Sequence, residues 1–162
     1  MTLLDRLAME MIAYDKGDPK RIHHFLKVHD FARLIGVAEG LEEKTLFRLE
    51  AAAYVHDIGI HEGERRFGRN DGKIQEDLGP AEAEAMLERL GFEAEDIRRI
   101  SWLVGHHHTY DCIEGMDYQI LVEADFLVNI YEDNLPVEAV RKVREKIFKT
   151  RAGLSLLDRM YL

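Results

Sequence analysis

Apolar residues recur along the chain at spacings of three and four, and alternating runs of β-branched residues are almost absent. That pattern predicts an all-helical fold of about seven to eight helices. The first helix is predicted over about 2–15, stopped by Lys16-Gly17-Asp18-Pro19, and the second over about 20–38, closed by Gly40. A third covers about 43–58, with Gly59 at the left-handed position that would end it. Residues 61–79, HEGERRFGRNDGKIQEDLG, carry four glycines and mixed charge, which predicts a long polar surface segment. A helix then starts with Pro80 at its first position and closes at Gly91. Helices over about 94–107, 117–132 and 136–149 and a short C-terminal one complete the set. With no internal repeat, low-complexity tract or linker, residues 1–162 are expected to form one unit.

Two of these helices carry acids where their patterns want none. LEAAAYVHDIG is apolar nearly all round from Ala51 to Val55, which marks a buried helix, and it ends in His56-Asp57. A carboxylate at the inner end of a buried helix costs several kcal/mol unless a positive partner meets it. In DYQILVEADFLVNIYED, apolar residues from Ile120 to Ile130 leave almost no polar face, yet Asp125 lies inside the run; Glu123 could escape at an edge. Two buried aspartates on two helices call for a shared cation.

Histidines enter the same interior. His24 is in line with Val28, Phe31, Ala32 and Ile35 and so faces the core, whereas His23 falls with Lys27 and Asp30, and His29 with Arg33. In ISWLVGHHH the stripe Ile100, Leu103, Val104 extends to His107, with His106 and His108 on either flank. Imidazoles and carboxylates converging from separate helices suit a hard-to-borderline divalent ion. Singly, each has a plainer explanation: a hydrogen-bonded core histidine, a capping aspartate, an imidazole on free helix carbonyls. All of these would have to hold together.

Composition narrows the ligand. Twenty-two basic against 31 acidic residues give a net charge of −9, which repels nucleic acid polymers and anionic membranes. Cys112 is the only cysteine, so neither an intrachain disulfide nor a cysteine-based zinc cluster can form. The first twenty residues are interrupted by Asp5, Arg6, Glu10 and Asp15 and lack the apolar centre of a signal peptide, so a cytoplasmic location is expected.

The order His24, His56-Asp57, Asp125 resembles the HD superfamily of metal-dependent phosphohydrolases. HFLKVHDFA matches the opening HxxxVxxxA element through His24, Val28 and Ala32; AAAYVHDIGI resembles the signature helix, and EADFLVNI the helix bearing the final aspartate. The resemblance spans about residues 20–132. It implies an all-helical fold with a divalent ion (manganese, iron, magnesium, nickel or zinc) held by His24, His56, Asp57 and Asp125. Many relatives carry a further histidine in an HPxxG-like segment and a later histidine pair that together support a second ion. Here QEDLG puts Gln75 where that histidine would fall, which favours one ion per chain; the pair lies within His106, His107 and His108. The GYP motif of cyclic-di-nucleotide phosphodiesterases is missing, and Ile60, followed by His61, stands where a lysine often follows HDIG.

The expected chemistry is attack of an activated water on a small phosphate ester or nucleotide, with Asp57 accepting a proton and His107 or His106 protonating the leaving oxygen. Arg21, His61 and the cluster Arg65, Arg66, Arg69 and Lys73 are candidates to hold the phosphate, although nearby acids could equally balance that cluster in solvent. The rival readings are a non-catalytic metal or nucleotide sensor, a di-iron oxygenase-type protein, and a metal-free helical protein whose acids pair with arginine. The apolar C-terminal segment, Leu154 to Leu162, is expected to pack within its own chain; the sequence leaves the oligomeric state open.

Overall fold

The computed structural model describes all residues from Met1 to Leu162, and they form nine α-helices and no strand. They are α1 (Leu3–Tyr14), α2 (Pro19–Ala38), α3 (Glu43–Val55), α4 (Gly59–Phe67), α5 (Gly72–Leu90), α6 (Ala94–Val104), α7 (Met116–Glu132), α8 (Val137–Lys146) and α9 (Arg151–Tyr161). None is long and apolar enough to cross a membrane.

α2 lies between α3 and α7, and α3 also packs on α6, so these four helices surround one interior. Pro19 starts α2 at a position where its missing N–H costs nothing, and the Asp18 side chain accepts from Arg21 N at 3.2 Å. The inner faces supply Val28, Ala32 and Ile35 from α2, Ala51 to Val55 from α3, Ile100, Leu103 and Val104 from α6, and most of α7. α9 closes the outside of α2 and α7; its Leu157 is fully buried, and Tyr161 donates to the Leu127 carbonyl.

The segment expected to be irregular is instead α4 and the first half of α5. Its glycines are packing surfaces more than helix breakers. A Cβ on Gly59 would lie 2.9 Å from Gly79 N and 3.0 Å from Gln75 O, and one on Gly63 would lie 2.7 Å from Ile74 Cγ2. Spaced four residues apart on one face of α4, Gly59 receives the α5 backbone at Gln75 and Gly79, and Gly63 receives the Ile74 side chain and the Arg69 carbonyl. Gly59 therefore opens α4, and α3 ends at Val55; only Gly68, at φ +68°, is left-handed here, ending α4. Asp71 caps α5, accepting from Ile74 N at 3.2 Å, so Pro80 sits inside that helix and not at its start. Its missing N–H leaves the Glu76 carbonyl without a helical donor, next to the close approach of Gly79 to Val104 of α6.

Two polar side chains also differ from expectation. Glu123 does not escape to an edge; it is fully buried, accepting from Thr150 N and Oγ1, Lys149 N and Gln119 Nε2 at 2.6–3.0 Å, and so anchors the start of α9. His29 is buried too, stacked on Tyr54 at 4.0 Å with its Nε2 3.0 Å from Glu50 Oε1, because α3 covers that flank of α2.

At Gly59 the contact between α4 and α5 is backbone against backbone, with no side chain that could give way. Gly59→Ala should therefore destabilise the protein by about 1–3 kcal/mol in urea denaturation, since backbone must move to admit the methyl group.

Candidate metal centre

His24 comes from the second turn of α2, His56 and Asp57 from the turn between α3 and α4, His107 from the turn after α6, and Asp125 from the middle of α7. The helix-packing scheme brings their tips together. His24 Nε2 lies 3.2 Å from His56 Nε2, 3.2 Å from Asp57 Oδ2 and 3.1 Å from Asp125 Oδ1; His56 Nε2 lies 3.4 Å from each of the same two oxygens. His107 Nε2 approaches the other oxygen of Asp57 at 3.3 Å. His24, His56, His107 and Asp125 are all buried, and Asp57 is nearly so.

Hydrogen bonds on the far side of each ring fix what faces inward. His56 Nδ1 donates to Ala53 O and His107 Nδ1 to Val104 O, both at 2.7 Å, and His24 Nδ1 meets Glu132 Oε1 at 2.6 Å. A carbonyl can only accept, so those Nδ1 atoms carry the protons. In the neutral rings every Nε2 then presents a lone pair to its neighbours and to two carboxylates. His107 Nε2 and Asp125 Oδ1 are buried with no hydrogen-bond partner, a state that costs about 1–3 kcal/mol per group and more for a charged one.

The donor set fits a divalent ion. Each of His24 Nε2 and His56 Nε2 lies 3.1–3.4 Å from an oxygen of Asp57 and from one of Asp125, spacings of nitrogen and oxygen ligands at roughly 2.0–2.2 Å from a shared centre. The donor atoms that all fall within 4.8 Å of one another are those of His24, His56 and Asp57, with Asp125 joined through the two imidazoles. The titration behaviour expresses the same demand for positive charge. Burial opposes a charge on His24, but contacts with Asp125 and Asp57 outweigh it and push its pKa up to about 11. Asp57 and Asp125 are held below the usual carboxylate range against the effect of burial, by the imidazoles around them. A proton and a metal ion are competing answers to one electrostatic problem.

The remaining predicted site residues divide into those drawn to this cluster and those not. Arg21, one turn before His24, places Nη1 3.7 Å from Asp57 Oδ2 and is the nearest fixed cation. His106 points away from the cluster: its ring stacks on Trp102 at 3.9 Å and its Nδ1 bonds the Trp102 carbonyl, since one residue along a helical turn rotates a side chain by about 100°. His61 lies between Asp15 and Asp18, with Nε2 3.3 Å from an oxygen of each. Arg65 and Arg66 both bind Glu62, Arg69 faces Asp71, and Lys73 binds Asp77, all on the outer surface. Of the proposed phosphate-holding residues, then, only Arg21 touches the cluster.

Asp15 and Glu132 escaped the sequence reading, and His108 stood in it only as one of three adjacent histidines. His108 joins Asp57 and His107 in a second group of donor atoms within 4.8 Å of one another, but its Nε2 is 2.7 Å from Gln75 Oε1. Gln75 Nε2 donates to Asn70 O at 2.6 Å, so its oxygen must be the acceptor and His108 Nε2 must carry a proton. Burial and the nearby His107 also lower the pKa of His108 to about 4. Asp15 is buried, and its carboxyl is pushed up to about 6, chiefly by that burial. Glu132 is the carboxylate behind His24; its one signal in the sequence is its place seven residues, two helical turns, after Asp125.

Comparison with known proteins agrees with this geometry. The family described as HD domain matches residues 21–148. No curated protein matches the chain. Among solved structures, it is similar to a protein from an uncultured Thermotogales bacterium described as a predicted HD superfamily hydrolase, at 25% sequence identity and a TM-score of 0.65; the match covers 98% of this chain and 83% of that one. With the family match spanning most of its length, and with histidines and aspartates gathered from α2, the α3–α4 turn and α7, the chain belongs to the HD domain family.

Proposed function

We propose that the protein is a metal-dependent phosphohydrolase that cleaves a small phosphate ester or nucleotide in the cytoplasm. The observation that carries this reading is the gathering of His24, His56 and Asp57 donor atoms within 4.8 Å of one another, with Asp125 Oδ1 3.1–3.4 Å from both imidazoles and a single arginine at the edge. Those four side chains would hold the ion. When bound, a dication supplies Lewis acidity and brings the pKa of water toward neutrality.

The chain's own groups then divide the remaining work. Asp57 accepts a proton through the carboxylate that reaches both His24 and His107. His107, whose pKa is raised because its contact with Asp57 outweighs the opposing effect of burial, carries a proton to the leaving oxygen. Arg21 pairs with the equatorial oxygens of the phosphoryl group, at a site close to charge that grows in the transition state. The Gln75 carbonyl occupies His108 Nε2, which supports one ion per chain in preference to two.

The overall charge of −9 favours a small substrate reaching a local cation over a polyanion. The acidic pair Asp15 and Asp18, held against His61, suits neutral hydroxyl groups on that substrate better than a second phosphate.

A screen of nucleotides and sugar phosphates with added manganese, iron, magnesium, nickel or zinc tests the reading. It predicts release of inorganic phosphate from at least one compound, falling to the no-enzyme background in Asp57→Ala and Asp125→Ala. Retention of nucleotide without turnover under every metal would instead favour a sensor. For the compound that is turned over, Arg21→Ala should lower kcat/KM by at least about 10-fold, with kcat itself reduced, as loss of a contact that strengthens in the transition state does.

A further inference from the structure

The three inward-facing imidazoles are not supported alike. His56 and His107 lie in turns, where each Nδ1 reaches back three residues to a backbone carbonyl, Ala53 O and Val104 O. His24 lies in the second turn of α2, where the carbonyls are already committed to the helix ladder, and its Nδ1 must find an acceptor elsewhere. It meets the Glu132 carboxylate at 2.6 Å, from the last residue of α7.

Asp125 and Glu132 are two turns apart on α7 and share a face. One helix therefore contacts both nitrogens of a single ring: Asp125 Oδ1 at 3.1 Å from Nε2 and Glu132 Oε1 at 2.6 Å from Nδ1. The second oxygen of Glu132 accepts from Lys27 Nζ at 3.1 Å, one turn after His24 on α2. The Glu132 side chain is 11% exposed, which keeps water from competing for the short contact.

We propose that Glu132 is a positioning residue of the centre: it fixes the orientation of the His24 ring, keeps the proton on Nδ1, and makes Nε2 a stronger donor to a metal ion. A carboxylate behind a ligating imidazole has these effects generally, and its loss weakens metal binding by about 10–100-fold. The inference rests on the reading of the cluster as a metal centre.

The test is a titration of chelator-stripped wild-type, Glu132→Ala, Glu132→Gln and Lys27→Ala proteins with Mn²⁺, in competition with a chromophoric chelator. Glu132→Ala should raise the dissociation constant by about 10–100-fold. Glu132→Gln, whose carbonyl still accepts from Nδ1 but carries no charge, should fall between it and wild type. Lys27→Ala, which frees only the outer oxygen of Glu132, should stay within about 3-fold, the scale of a solvent-accessible ion pair. Melting of the metal-free proteins separates positioning from simple bracing of α2 against α7. Wild-type affinity in Glu132→Ala and Glu132→Gln, with or without a drop in metal-free stability, overturns the inference and leaves the metal centre standing. Failure of the wild-type protein to take up Mn²⁺ overturns both.

Discussion

Three imidazole nitrogens and the oxygens of two aspartates meet where α2, α3, α6 and α7 come together, and with the rings neutral all of them present electron pairs. Like partial charges at about 3 Å repel strongly where the surroundings screen poorly. Such an arrangement persists only if something positive occupies the common point. Besides alkyl and aromatic groups the surroundings supply the Glu132 carboxylate behind His24 and the Gln75–His108 pair, and the nearest fixed cation, Arg21, reaches only the rim, 3.7 Å from Asp57. A divalent ion balances two carboxylates without adding a side chain to the interior, which is why the cluster's chemistry and the core's packing fit in one place.

The fold is arranged so that each donor arrives on a rigid element. α2 and α7 deliver His24 and Asp125 from within their hydrogen-bonded turns, where backbone positions are well defined. The turns after α3 and α6 deliver His56, Asp57 and His107, whose rings are then fixed by carbonyls of the helices they have just left. The glycine face of α4 carries the Asp57 turn down onto α5, and the same region of α5 presents Gln75 to His108. Packing between α4 and α5 thus controls the position of Asp57 and the chemical state of a histidine beside it. Membership of the HD domain family is consistent with this division between a helical frame and a set of donors placed on it.

The sequence was most informative where burial and charge conflict. Asp57 and Asp125 were legible because an acid within an apolar run has no inexpensive structural explanation, and His24 because its helical register left one direction open. Glycine misled the reading of residues 61–79, since periodicity does not distinguish a glycine that ends a helix from one that lets two helices touch. Once α4 is known to be helical, the pairing of Glu62 with Arg65 and Arg66 follows from their spacing, and so does the withdrawal of those cations from the centre. Glu123 and His29 were misplaced because what covers them, the start of α9 and the flank of α3, is set by tertiary packing alone. Glu132 was hidden for a similar reason: at a helix end it looks like an ordinary surface acid until α2 is laid beside it.

Every role given to these side chains depends on a metal ion that neutralises the buried acids. The direct measurement is elemental analysis of protein purified without chelator and without an immobilised-metal column, paired with thermal melting before and after a strong chelator. The account predicts about one equivalent of a divalent metal per chain and a lower melting temperature once it is removed. Less than about a tenth of an equivalent, together with melting that the chelator leaves unchanged, would contradict it.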